Sequence, residues 1–169
     1  GDETLEQEAR RYASYFAMPT YQKVLGGRPI VFLLGLGGAN TTLVAAALRV
    51  LRAAATASLG AAGTPYLVAM SSSASAAKAA IALYGLDAAS DYVTQSNPSR
   101  AAGAPFATSI AQPEERLWEN FAAAGLSVVP PISAGWDPSP REFIDLPWGD
   151  QGRIACVEKL GHPCYVQDP

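Results

Sequence analysis

The sequence predicts an α/β fold with a parallel sheet and alternating helices, and three observations carry that expectation. Strand-length apolar runs occur at 28–35, 64–71 and 126–133, and the first is apolar without alternation, as a strand buried on both faces requires. Between the runs lie alanine- and leucine-rich segments of helical length, with glycine and proline at their boundaries. A connection that contains a helix is long enough to bring the next strand back parallel to the last.

Taken in order, LEQEARRYASYF reads as a helix with charge on one face and Tyr12, Tyr15 and Phe16 on the other, ended by Met18-Pro19. RPIVFLLG at 28–35 is the first strand, and Pro29, which has no N–H to give a ladder, is tolerated only at its start. Gly35-Leu36-Gly37-Gly38 turns the chain, and Asn40 or Thr41 caps a helix that continues to about Ser58, where Gly60, Gly63 and Pro65 stop it. TPYLVAMS at 64–71 is the second strand, 74–85 a second helix ended by Gly85, and DYVTQ at 91–95 a short third strand. After an irregular loop at 96–105, a helix runs from Gln112 to Ala124 with Glu114 and Glu115 in the first turn, where the helix dipole favours them. LSVVPPIS at 126–133 is the fourth strand, and all four are expected to pair in parallel in one sheet. Two closed architectures satisfy this order: a doubly wound open sheet, or part of an eightfold β/α barrel, of which four strands make half.

The 169 residues suit one domain, able to bury about 70% of the unfolded surface. A formal net charge of -3 offers no basic patch, so nucleic acid is not expected as a partner. No membrane span is expected, because no apolar run approaches about 20 residues, and GDETLEQEARR lacks the pattern of a signal peptide. Cys156 and Cys164 are eight residues apart in CVEKLGHPC, where a small disulfide loop and two free thiols are both open readings. With His162 they lack the paired spacing of zinc modules, and no metal or other cofactor is expected. No compartment is legible; an extracellular or periplasmic one is the expectation, and there the cysteines would be bonded.

The strand, glycine cluster and helix at 31–48 have the outline of a nucleotide-binding βαβ unit. That unit needs an acidic residue after the next strand to hold the ribose, but no Asp or Glu occurs between Glu8 and Asp87. A plain Gly-rich turn is the simpler reading.

In either architecture the chemistry lies at the carboxyl ends of the strands, here Gly35 to Asn40, Met70 to Ser73, Tyr92 to Asn97 and Gly135 to Arg141. The last is the most informative. SAGWDPSPR puts an indole, a carboxylate and a guanidinium on one proline-stiffened loop. Trp136 can stack on the apolar face of a sugar while Asp137 and Arg141 accept from and donate to its hydroxyls. Equally, Trp136 can plug a barrel mouth with Asp137 paired to Arg141, and composition leaves both readings open.

The segments YFAMPTYQKVLGGRPIVF, GLDAASDYVT and VVPPISAGWDPSPR resemble, in order and rough spacing, the glycoside hydrolase family 99 group of endo-α-mannosidases, endo-mannanases and bacterial polysaccharide-cluster relatives. Asp87, Ala88 and Tyr92 match the second of its motifs; Pro130, Gly135, Trp136, Asp137, Pro140 and Arg141 match the third. The likeness extends from Tyr15 to about Phe143. It implies the middle-to-late part of a (β/α)8 TIM-type barrel, so the 169 residues are expected to be a fragment of a larger barrel. It also implies a polysaccharide or oligosaccharide partner, with Tyr92, Trp136, Asp137 and Arg141 facing the sugar. The family's Asn-Glu-Trp-type motif, which carries its catalytic carboxylates, does not occur here, so the catalytic residues are unknown.

The remaining carboxylates do not replace it. Glycoside hydrolysis wants two, roughly 5 to 10 Å apart across a cleft. Asp91 begins the strand predicted at 91–95 and so belongs to the wrong end of the sheet, and Glu114, Glu115 and Glu119 read as a solvated helix face. The resemblance therefore implies a carbohydrate-active protein that acts on or binds a polysaccharide. The alternatives are a non-catalytic carbohydrate-binding or interaction domain and a doubly wound nucleotide-binding module.

Overall fold

In the computed structural model, which describes residues 2–60, 63–92 and 111–131, helices and strands alternate along most of the chain. The order is α1 (Asp2–Phe16), β1 (Lys23–Val24), β2 (Arg28–Leu33), α2 (Thr41–Leu59), β3 (Tyr66–Met70), α3 (Ala74–Tyr84), β4 (Ala88–Ser90) and α4 (Gln112–Ala123). Two compact units divide the chain, Gly1–Tyr92 with Phe121–Val129, and Val93–Asn120 with Pro130–Pro169. The sheet lies in the first unit.

Its four strands follow sequence order, β1-β2-β3-β4. Strands β2 and β3 pair in parallel from Ile30↔Tyr66 to Leu33↔Ala69, and β3 and β4 in parallel from Val68↔Ala88 to Met70↔Ser90. On the far side of β4 a parallel bridge joins Ala89 to Val128, where Ala89 N–H donates to Ser127 O and Val129 N–H to Ala89 O, each at 2.9 Å. The fourth predicted strand, 126–133, is thus reduced to this bridge among the described residues. The two proline neighbours Pro130 and Pro131 supply no N–H to extend it.

The sheet is mixed rather than wholly parallel. The chain enters it through a hairpin, with Lys23↔Pro29 and Val24↔Arg28 antiparallel. Three successive positive φ angles make the turn, 43° at Leu25, 81° at Gly26 and 99° at Gly27. Glycine accepts that region without steric cost, so GG is what closes the loop, while Leu25 is held there against its preference.

The third strand also differs from the prediction of 91–95: it runs from Ala88 to Ser90. Aromatic and β-branched residues in DYVTQ favour a strand there by local preference. Asp91 and Tyr92 stand past the end of β4, and 93–95 lie outside the described residues; β4 itself is buried along its whole length, with Ala88 and Ala89 fully enclosed. Its register is set just ahead of it, where Asp87 N–H donates to Leu67 O and the Asp87 carboxylate takes Leu67 N–H, both at 2.8 Å.

One face of the sheet carries both helices. Val31, Leu33, Leu67 and Ala69 form a core with Val44, Leu48 and Leu51 of α2 and Ala80, Ile81 and Tyr84 of α3. Helix α1 packs on α2 through Ala13, Phe16 and Ala55. On the other face Ile30, Val68 and Ala88 cluster with Val24, Tyr66 and Val129. Helix α2, at 19 residues and a mean hydropathy of 1.4, meets the length and composition of a membrane span, which the sequence reading excludes. The core helix of a protein without a membrane span passes the same test. Within this fold Leu48 and Ala55 of α2 are buried, and its Arg52 donates to Tyr84 O and Gly85 O at 2.9 and 2.7 Å. Those carbonyls end α3, whose C-cap Gly85 adopts the left-handed conformation.

Candidate functional site

Parallel strands present their carboxyl ends together, so the candidate site is built from the residues immediately after β2, β3 and β4. Strand β2 runs through Leu34 into Gly35, whose φ of 77° admits the turn that starts the short 3-10 segment Leu36–Gly38. Asn40 then caps α2, its side chain accepting Leu43 N–H at 3.1 Å. Strand β3 runs into Ser71-Ser72-Ser73, and Ser73 caps α3 by accepting Ala76 N–H at 3.4 Å. These caps satisfy N–H groups that a phosphate would otherwise engage.

Between the two strand ends lies a cavity of about 370 Å³, bordered by Leu36, Thr41, Met70, Ser71 and Tyr84 with alanines of α3. Its walls are largely apolar. The Ser71 hydroxyl is engaged locally, donating to Ser73 O and accepting Ser73 N–H at 3.2 Å. No acidic residue follows β3, so this end lacks the ribose ligand of a nucleotide site.

The end of β4 is different in character. The β3–β4 pairing closes with Ser71 N–H donating to Ser90 O at 2.8 Å. Asp91 comes next and is only 7% exposed; its Oδ1 accepts Tyr92 N–H at 2.8 Å. Tyr92 comes after it at 59% exposure. One sequence expectation is corrected by this geometry. Asp91 does not begin a strand at the wrong end of the sheet: with β4 ending at Ser90, it stands at the carboxyl end. The reading misplaces it because it starts the strand three residues late. Tyr92 lies after the strand, with its ring turned to solvent rather than into the sheet.

Trp136, Asp137 and Arg141 lie outside the described residues, as do Cys156, His162 and Cys164. Of the helix carboxylates, Glu115 and Glu119 are exposed as predicted, but Glu114 is not part of a solvated face: it is 4% exposed. It sits in the first turn of α4, where free N–H groups and the helix dipole make a buried carboxylate tolerable. Among the described residues, no group of three His, Cys, Asp or Glu side chains is arranged to hold a metal ion. Comparison with family models, with curated proteins and with solved structures finds no match to this chain.

Proposed function

We propose that the chain binds carbohydrate at the carboxyl end of its parallel strands, as part of a glycoside hydrolase family 99-like β/α barrel that acts on or binds a polysaccharide. The observation that carries this reading is Tyr92, a large aromatic ring 59% exposed immediately past the end of β4. An exposed ring at a strand end is the group a sugar's apolar face stacks against. The motif containing Tyr92, and the Trp136-Asp137 loop that resembles the family's third motif, point to the same ligand class.

Strand order and helix placement support the barrel over the doubly wound alternative. The strands succeed one another without reversal, and α2 and α3 pack on the same face. A doubly wound sheet reverses its order at the ligand crevice and carries helices on both faces. A second reading, a binding domain without hydrolytic activity, is favoured by the carboxylate inventory. Hydrolysis by the usual schemes needs an acid and a base or nucleophile. At the described strand ends only Asp91 carries a carboxyl group, and it is buried.

A mannan or related polysaccharide titrated into the full-length protein tests the reading, with Tyr92→Ala and Trp136→Ala compared to wild type and folding checked by circular dichroism. Loss of a stacked ring costs on the order of 1 to 3 kcal/mol, about 5-fold to 150-fold in affinity. Unchanged affinity in both variants removes the proposed site. Release of reducing ends separates an enzyme from a binding domain.

A further inference from the structure

We infer that Asp91 is a positioning residue for Tyr92: its buried carboxylate holds the Tyr92 amide where the strand ladder ends, and thereby aims the phenol ring outward for ligand. The inference rests on the carbohydrate reading of this end of the sheet.

Consecutive residues have opposite environments here. Asp91 is 7% exposed and Tyr92 59%. The pairing with β3 closes at Ser71 N–H to Ser90 O, and beyond it the neighbouring chain turns through Ser73 into α3. The Tyr92 amide donates to Asp91 Oδ1 at 2.8 Å. A hydrogen bond to a carboxylate is stronger than one to a neutral acceptor, and a carboxylate kept out of water must be compensated by such bonds. The bond spans one residue, so it restrains the plane of the 91–92 peptide from which the Tyr92 side chain departs. A ring held in place before ligand arrives loses less conformational entropy on binding. Asp91 thus acts on affinity through Tyr92, without touching the sugar.

The test is a double-mutant cycle on the full chain, titrated with mannan and read by calorimetry. Tyr92→Ala is expected to weaken binding about tenfold or more. Asp91→Ala is expected to weaken it about threefold to tenfold, the cost of ordering one free side chain. Asp91→Ala combined with Tyr92→Ala should bind no more weakly than Tyr92→Ala alone. Asp91→Asn, whose amide oxygen still accepts the Tyr92 N–H, should recover most of the affinity lost in Asp91→Ala. If Asp91→Ala does not fold, Asp91→Glu, which displaces the acceptor by one methylene, takes its place with the same expected weakening. A folded Asp91→Ala or Asp91→Glu that binds like wild type overturns the positioning role and leaves the Tyr92 site standing. So does a loss that adds to that of Tyr92→Ala, or an Asp91→Asn as weak as Asp91→Ala. Wild-type affinity in Tyr92→Ala sinks the sugar-binding role of Tyr92, and the positioning role with it.

Discussion

Arg28 and Asp87 tie the amino ends of three strands together with two side chains. The guanidinium donates to Thr64 O at 3.0 Å, to Pro65 O at 2.8 Å and to Asp87 Oδ1 at 2.8 Å, while it lies 5.0 Å over the Tyr66 ring. Asp87 Oδ2 accepts Leu67 N–H. Both side chains are about three-quarters buried, at 26% and 25% exposure, so solvent screens the pair only partly. Asp87→Ala should therefore destabilise by about 1 to 3 kcal/mol, because it leaves the Leu67 amide without its acceptor and takes the countercharge from a guanidinium that keeps only its carbonyl partners. Urea unfolding reads this directly, and a change under about 0.5 kcal/mol would place the pair among inert surface bridges. Asp87 and Tyr92 belong to one sequence motif, yet they flank a three-residue strand and serve its opposite ends, one structural and one facing solvent. A one-dimensional motif does not separate those roles. Tyr21 gives a second prediction. Its hydroxyl donates to Ile30 O at 2.9 Å and its ring meets Phe16 edge to face at 5.0 Å. Burial raises its pKa above the ordinary 10.0. The folded state then holds the phenolic proton more tightly than the unfolded chain, so this contribution is complete below the unfolded value and is lost as pH climbs from there through the folded value. Tyr21→Phe should flatten that alkaline fall in stability, measured by urea unfolding at a series of pH values; an unchanged slope would assign the fall to another group.

At the scale of elements, the helices and the strands β2 and β3 were legible while β1 and the limits of β4 were not, because their determinants lie at different distances along the chain. The limits of α2 come from Asn40 before it and Gly60 after it, and those of α3 from Ser73 and Gly85; each cap acts within four residues of its helix end. Sequence alone therefore reaches these boundaries to within a residue or two. Gly63 shows a less legible constraint behind the α2 stop signal: a Cβ there would come within 2.6 Å of Ala55 O and 2.5 Å of Leu59 Cβ, so the chain folds back against its own helix. The limits of β4, by contrast, depend on Arg28 and Leu67, which are 59 and 20 residues from Asp87. No local preference encodes such partners. The hairpin of β1 escaped for a related reason, since two residues are too few to show alternation. Asn40→Ala tests the cap: it should cost about 1 kcal/mol, while Asn40→Asp should cost little, since a carboxylate accepts the same N–H and suits the helix dipole. Thermal unfolding of the two variants compares them; equal losses would show that the Asn40 side chain does more than accept Leu43 N–H.

For the whole molecule, the α/β class was legible from alternation alone, whereas the candidate site was legible only in part. Tyr92 was identified as a strand-end residue although its strand was misplaced, and Asp91 was discarded by that same misplacement. The direction of the strands carries more information than the motif, because it assigns each loop to one end of the sheet. It also makes a prediction for the outer edge of β2. In a parallel strand, successive N–H groups point alternately to the two neighbours. Ile30 N–H donates outward to Gln22 O at 3.2 Å, so Val31 and Leu33 point their N–H groups inward to β3, and Phe32 points outward again. Strand β1 ends its pairing at Pro29 and does not reach that far. Phe32, moreover, is 43% exposed in the middle of a strand whose neighbour Ile30 is buried at 6%. Its amide should therefore exchange with deuterium at least about tenfold faster than those of Val31 and Leu33, while amides of β3, paired on both sides, exchange slowest in the sheet. Residue-resolved exchange by nuclear magnetic resonance measures all of these together. If the Phe32 amide proves as protected as its neighbours, another segment pairs with the outer edge of β2 beyond the reach of β1.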